Sequence, residues 1–163
     1  MTSPEMSLAE RIRGEMTDLD RSAARVSAAW VRGKRATADQ DYYLDAVALN
    51  LHGFYSGVER LFDLTARYID RTVPDGESWH RELAIRMAQE VPDVRPAVIS
   101  PDVATDLDEY RRFRHLVRNV YATNLVPAKM QVLVERLPLL WPRLRAELIA
   151  FAAFLERISP DLN

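Results

Sequence analysis

The fold is decided by residues 39–71, which read DQDYYLDAVALNLHGFYSGVERLFDLTARYIDR. Apolar residues recur here along three adjacent lines with a spacing of seven: Leu44, Leu51 and Val58; Val47, Phe54, Leu61 and Tyr68; and Ala48, Tyr55, Phe62 and Ile69. Three adjacent lines predict a helix with a wide apolar face, and therefore the central helix of a bundle. Since glycine weakens a helix interior, we expect Gly53 and Gly57 to allow another backbone to approach closely.

Further helical segments precede and follow this one. We predict a first helix over residues 4–34, which Ser3 caps at its N-terminus. A short third helix is predicted over residues 79–90. The fourth helix opens at Ser100, which can cap it, and ends near residues 122–125.

The last helical region covers residues 127–159 and keeps apolar residues at spacings of three and four throughout. Pro138 and Pro142 each remove an amide donor and crowd the preceding turn, so we expect two helices there rather than one. No strand-type alternation competes with these patterns. The sequence therefore predicts an all-α fold, an up-and-down bundle of four to five main helices that forms a single domain over residues 1–163.

Composition excludes several classes of site. The 163 residues carry a formal net charge of −2 and include no cysteine. A near-neutral chain does not bind nucleic acid through its overall field alone, and a chain without thiols forms neither disulfides nor thiolate metal sites. The three histidines are dispersed, and the sequence has neither an HExxH motif nor a glycine-rich phosphate loop. We therefore expect no metal and no cofactor.

The same features bear on location. The first residues lack the basic-then-apolar pattern of a signal peptide. The nearest candidate for a membrane span, residues 148–155, is far too short to cross a bilayer. Together with the absence of cysteine, this predicts a cytoplasmic protein that does not enter membranes.

Candidate chemistry concentrates in residues 109–121, which read EYRRFRHLVRNVY. On a helix this segment forms two neighbouring lines of polar side chains: Arg114, Arg118 and Tyr121 on the first, and Arg111, His115 and Asn119 on the second. Arginines placed side by side repel one another. A group of them is most easily explained by an anion, such as RNA phosphate or a carboxylate partner.

A solvated helix that pairs its own charges explains the same residues. Asp106, Asp108 and Glu109 precede the arginines, which is the order that the helix dipole favours. Asp108 can also pair with Arg112, four residues later. From spacing alone this second explanation is the favoured one, because such charge patterns are common on helices.

Three polar residues elsewhere are weaker candidates for a functional site. His52 and Glu59 lie seven apart on the second helix and face the same way, so they could line a cleft or support the arginine-rich helix. The favoured interpretation is a pair of surface polar groups beside the apolar face. His80, next to Trp79 near a predicted helix start, is interpreted as an ordinary residue.

The run over residues 112–121 resembles the signature of HepT-like proteins in the HEPN superfamily: an arginine, four residues, a histidine, one residue and a tyrosine. On this chain the arginine is Arg114, the tyrosine is Tyr121, and Asn119 occupies the histidine position. Two other stretches are similar to the same group, namely LHGFYSGVERLF at residues 51–62 and LPLLWP at residues 137–142. The resemblance extends from about residue 42 to residue 156.

The resemblance implies a small helical bundle that forms a homodimer, with the two signatures facing one another across a cleft. Active members cleave RNA without a metal and act as toxins of bacterial toxin–antitoxin pairs. The partner is a small nucleotidyltransferase antitoxin of the MNT type, which can modify the signature tyrosine, here Tyr121, with AMP. The implied catalytic residues are Arg114, His115, Asn119 and Tyr121, and Arg111 and Arg118 are the implied RNA phosphate-binding residues.

Asn119 departs from the signature, because an amide cannot take or give a proton near neutral pH. Three interpretations follow. His115, one turn earlier, supplies the proton transfer; or the arginines stabilise the transition state of a slow enzyme; or the nuclease is degenerate and the domain only binds a nucleotidyltransferase or a nucleotide. A purely structural dimer with solvated arginines is a further alternative. The family resemblance favours the endoribonuclease toxin.

Overall fold

The computed structural model describes residues 1–120 and 127–162, and the side chains of residues 1–117 and 127–161. Over these residues the chain is all-α, as predicted. Its five α-helices are α1 (Pro4–Arg35), α2 (Gln40–Thr65), α3 (Trp79–Met87), α4 (Pro101–Val120) and α5 (Pro127–Ile158). None of the described helices combines the length and the apolar character needed to cross a membrane.

The predicted helix starts are confirmed at α1 and α4. The side-chain oxygen of Ser3 accepts a hydrogen bond from the backbone N–H of Met6 at 3.2 Å, which satisfies one of the unpaired donors at the start of α1. Ser100 does the same at the start of α4, where its Oγ accepts from Val103 N–H at 3.4 Å. The predicted end of the fourth helix, near residues 122–125, lies outside the described residues.

α2 is the central helix, and it packs against each of the other four α-helices. Most residues on its three apolar lines are buried. Phe54 has its ring edge-to-face with Tyr110 of α4 at 6.0 Å and with Trp141 of α5 at 5.4 Å. Because helices of the same chain cover this wide face, its width does not require a second copy of the chain.

The two glycines of α2 differ. A Cβ added to Gly57 would lie 2.9 Å from Leu19 Cδ2, so the position is crowded by a side chain of α1 rather than by a backbone. At Gly53 an added Cβ would meet nothing within 4 Å, and the residue is exposed. The expectation of close backbone approach at both glycines was therefore wrong, and only Gly57 is needed for packing.

The expected break in the last helix was also wrong, since α5 continues through both prolines. Pro138 and Pro142 are exposed, so their rings lie on the solvent side of the helix. Beside these prolines, α5 is held against α1. Trp141 Nε1 donates to Asp20 Oδ1 at 2.7 Å, and Arg145 Nε donates to the same oxygen at 3.1 Å. These two donors, Arg145 foremost, lower the pKa of Asp20.

A buried ion pair positions α3. The α-helical part of α2 ends at Thr65 and the chain continues as a π-helical turn over Ala66–Asp70. Arg95 Nε donates to Asp70 Oδ1 at 2.6 Å, and both side chains are almost completely buried. The backbone N–H of Val98 donates to the carbonyl of Met87, the last residue of α3, at 2.8 Å. The chain after α3 is thereby fixed to the end of α2, and the start of α3 lies beside α2 and α4.

The contrast between the two glycines is testable. We expect Gly53→Ala to raise the free energy of unfolding by about 0.5–1 kcal/mol, because the helix gains a better helix former in open space. Gly57→Ala should lower it by about 1 kcal/mol, since Leu19 is buried and must shift to admit the methyl group. Urea denaturation of the two variants measures both changes. An equal increase in the free energy of unfolding for both variants would contradict the packing role of Gly57.

Candidate functional site

Three buried apolar side chains set the rotation of α4. Tyr110, Phe113 and Val117 face the core, and Tyr110 Oη donates to the carbonyl of Leu133 on α5 at 2.8 Å. Burial raises the pKa of Tyr110, which keeps the phenol neutral as the donor of this bond. With this face anchored, the polar side of α4 that carries Arg111, Arg114 and His115 is directed at the start of α3.

A pocket of about 350 Å³ opens at this place, which we call the arginine pocket. Its lining comes from α2, from the start of α3 with the residues before it, and from α4: Glu59, Glu77, Ser78, His80, Arg81, Arg111, Arg114 and His115. Three of the predicted site residues, Arg111, Arg114 and His115, are thus brought together. The lining holds three guanidinium groups and two carboxylates.

Arg114 is bound inside the pocket by a carboxylate. Its Nη1 donates to Glu59 Oε1, and its side chain is only 17% exposed. Its guanidinium carbon lies 5.9 Å from the ring centroid of Tyr55, which is within the range of a cation–π contact. The Nε atom is buried and has no hydrogen-bond partner among the described residues. Arg114 is therefore held in place at the wall of the pocket by Glu59 and Tyr55.

Glu59 joins this arginine to a histidine. Its second oxygen, Oε2, lies 2.9 Å from Nδ1 of His80, whose ring stacks on Trp79 with centroids 3.5 Å apart. Glu59 is buried, with 7% of its surface exposed. Burial raises the pKa of the neighbouring Tyr55, and the charge of Glu59 raises it further. The interpretation of Glu59 as a surface polar group was therefore wrong.

Charge pairing along α4 follows the predicted pattern in part. Asp108 accepts from Arg111 at 2.7 Å and lies 3.1 Å from Arg112, which confirms the expected pair four residues apart. Burial alone would raise the pKa of Asp108, but the hydrogen bond from Arg111 and the charges of the nearby arginines lower it. Arg112 is exposed and self-paired. The solvated-helix explanation thus holds for Arg112 and does not hold for Arg114.

Comparison with known proteins assigns the chain to a family. A family model described as HepT-like protein matches residues 46–155, a span that contains every residue lining the arginine pocket. The chain belongs to the HepT-like family. No curated protein and no solved structure matches it. The HepT-like assignment places the bundle in the HEPN superfamily, and the family is generally part of toxin–antitoxin pairs.

The remaining signature residues lie at the limit of the described chain. The backbone of α4 is helical at Arg118 and Asn119, which places Asn119 one turn after His115, but their side chains lie outside the described set. Tyr121 lies outside the described residues altogether. Their part in a HepT-like site therefore stays a prediction.

Several residues of the arginine pocket, among them His80 and Arg81, were not predicted as site residues, and for Glu59 a place in a cleft was only the less favoured interpretation. For Glu59 a signal was present. It falls between Tyr55 and Phe62 on the apolar face of α2, and a carboxylate on such a face needs a buried partner. For the residues at the start of α3 no signal was available, because their proximity to α4 is created by the tertiary fold.

The pairing of Glu59 predicts a large effect on stability. Glu59→Gln should lower the free energy of unfolding by about 2–4 kcal/mol, because Arg114 would remain largely buried without a countercharge. The matched control is Glu109→Gln. It removes a carboxylate that lies 3.6 Å from Arg112 on the exposed side of α4. This control should cost less than about 1 kcal/mol. Thermal or urea unfolding measures both, and similar values for the two variants would contradict a structural role for Glu59.

Proposed function

We propose that this HepT-like chain is a metal-independent endoribonuclease, the toxin of a bacterial toxin–antitoxin pair that a nucleotidyltransferase antitoxin neutralises. The observation that carries the proposal is the arginine pocket, in which Arg81, Arg111 and Arg114 lie around a space that His115 also lines. Guanidinium groups bind phosphate with paired hydrogen bonds. An imidazole exchanges protons near neutral pH. Together they supply charge stabilisation and proton transfer for cleavage of a phosphodiester.

In the proposed reaction the ribose 2′-hydroxyl attacks the adjacent phosphorus and the bond to the 5′-oxygen breaks. Negative charge develops on the phosphoryl oxygens, and Arg114 and Arg111 stabilise it. His115 gives a proton to the leaving 5′-oxygen. We assign Arg118 to a neighbouring phosphate, and Asn119 and Tyr121 to contacts around the scissile phosphate. Asn119 takes no part in proton transfer, since an amide does not titrate in this range.

A second function has specific support. The guanidinium of Arg114 is already paired with Glu59, and Asn119 replaces the proton-transferring histidine of the signature. Both features are those of a degenerate HEPN module that binds a nucleotidyltransferase or a nucleotide without cleaving RNA. The two functions differ in one measurable property, which is turnover of RNA by the purified chain.

An RNA-cleavage assay in the presence of EDTA tests the nuclease. We expect the wild type to cleave in the chelator and Arg114→Ala to lose about 100-fold or more in rate, as expected when a transition-state charge donor is removed. Arg112→Ala is the matched control, because Arg112 lies on the same helix but outside the pocket lining. It should retain the wild-type rate. Diverse RNAs left intact by the wild type would support the degenerate binding module instead.

The partner and the modification are tested together. We propose that the toxin acts as a homodimer, so that two arginine pockets face one RNA cleft, and that the antitoxin transfers AMP to Tyr121. Expression of the chain alone should arrest growth, and co-expression with a nucleotidyltransferase encoded beside it should restore growth. Mass spectrometry should then find an adenylyl group on the peptide that contains Tyr121. In Tyr121→Phe the same peptide should carry no adenylyl group, and an adenylyl group found there would place the modification on another residue and contradict the role of the tyrosine.

A further inference from the structure

We infer that His80, held by Glu59, is a second catalytic residue of the arginine pocket, the general base that activates the ribose 2′-hydroxyl. The inference rests on the proposed ribonuclease function. It assigns the proton transfer that Asn119 cannot perform to a residue of α3, outside the signature helix α4. Glu59 is the positioning residue that aims the imidazole.

The geometry around His80 fixes which ring nitrogen faces a ligand. Nδ1 lies 2.9 Å from Glu59 Oε2, and the ring plane lies against Trp79 with an angle of 30° between the two rings. The carboxylate and the indole hold the ring in one orientation. With Nδ1 held by the carboxylate, Nε2 is the nitrogen left to exchange a proton. The side chain is 30% exposed and lines the pocket, so a ligand can reach it.

Glu59 couples the base to the phosphate-binding group. One of its oxygens binds Arg114 and the other binds His80, and the carboxylate itself is buried on α2. The guanidinium of α4 and the imidazole of α3 are therefore both held by one carboxylate of α2. A carboxylate behind an imidazole also stabilises the imidazolium that forms when the base takes a proton.

The complete step balances with the two imidazoles of the pocket. His80 Nε2 takes the proton of the 2′-hydroxyl, and the 2′-oxygen forms a bond to phosphorus. The bond from phosphorus to the 5′-oxygen breaks, and His115 donates the proton that the 5′-oxygen needs. The products are a 2′,3′-cyclic phosphate and a 5′-hydroxyl end. The two histidines then return to their starting states by exchanging protons with water.

A purely structural role for His80 is the competing explanation, because the bond to Glu59 also ties α3 to α2. Two variants separate the roles. In His80→Asn the amide Nδ2 takes the place of ring Nδ1, so the tie to Glu59 is kept while the titrating group is lost. In His80→Gln the amide occupies the position of Nε2. Arg112→Ala is again the control, because Arg112 is exposed and lies outside the pocket lining.

The assay compares an oligoribonucleotide with the same molecule in which sulfur replaces the bridging 5′-oxygen. A thiolate leaves without a proton, so loss of the general acid is bypassed in the sulfur substrate and loss of the general base is not. We expect His80→Asn and His80→Gln to cleave both substrates about 100-fold or more slowly than the wild type. His115→Gln should be slow on the oxygen substrate and close to wild type on the sulfur substrate. Arg112→Ala should match the wild type on both.

Each outcome decides the inference. If His80→Asn cleaves at the wild-type rate, or if sulfur restores its rate, then His80 is not the base and the ribonuclease function still stands. If the cleavage rate of both His80 variants falls only as far as their midpoint of thermal unfolding falls, then His80 has the structural role of joining α3 to α2. If the wild type cleaves neither substrate, the proposed function is wrong, and so is the inference that rests on it.

Discussion

The site depends on one buried carboxylate. Glu59 lies on the apolar face of the central helix, where a charge is tolerated only with partners that compensate its loss of water. Its partners come from two other helices, Arg114 on α4 and His80 on α3. The requirement to satisfy this charge thus places a cation and an imidazole in contact with the same group. The need to pair a buried charge in the core thereby brings together the side chains of the arginine pocket at the edge of the core.

The rest of the bundle keeps those partners in place. Tyr110 anchors α4 to α5 through the carbonyl of Leu133, and Phe54 of α2 packs between the rings of Tyr110 and Trp141. On the other side, the buried pair of Arg95 and Asp70 fixes the chain that follows α3. Because each anchor belongs to the core or to a fully buried ion pair, the relative positions of α2, α3 and α4 do not depend on the pocket being occupied.

Periodicity was sufficient to predict the helices, because an apolar face leaves its spacing in the sequence. The convergence of Arg111, Arg114 and His115 was likewise predictable, since they are neighbours on one helix. Two features were not predictable. The continuity of α5 through Pro138 depends on which face the proline occupies. The approach of His80 to α4 is a contact between distant residues, and a single sequence contains no local pattern for it.

The pocket has a buried floor and an exposed rim. Glu59 cannot change alone without leaving Arg114 buried and uncompensated. By contrast, Glu77, Ser78 and Arg81 are exposed at and just before the first turn of α3. Substitutions there alter the charge and shape presented to a ligand while the core stays intact. During evolution such a chain can therefore change its preferred ligand through the rim in small steps, and the pairing beneath it persists unchanged.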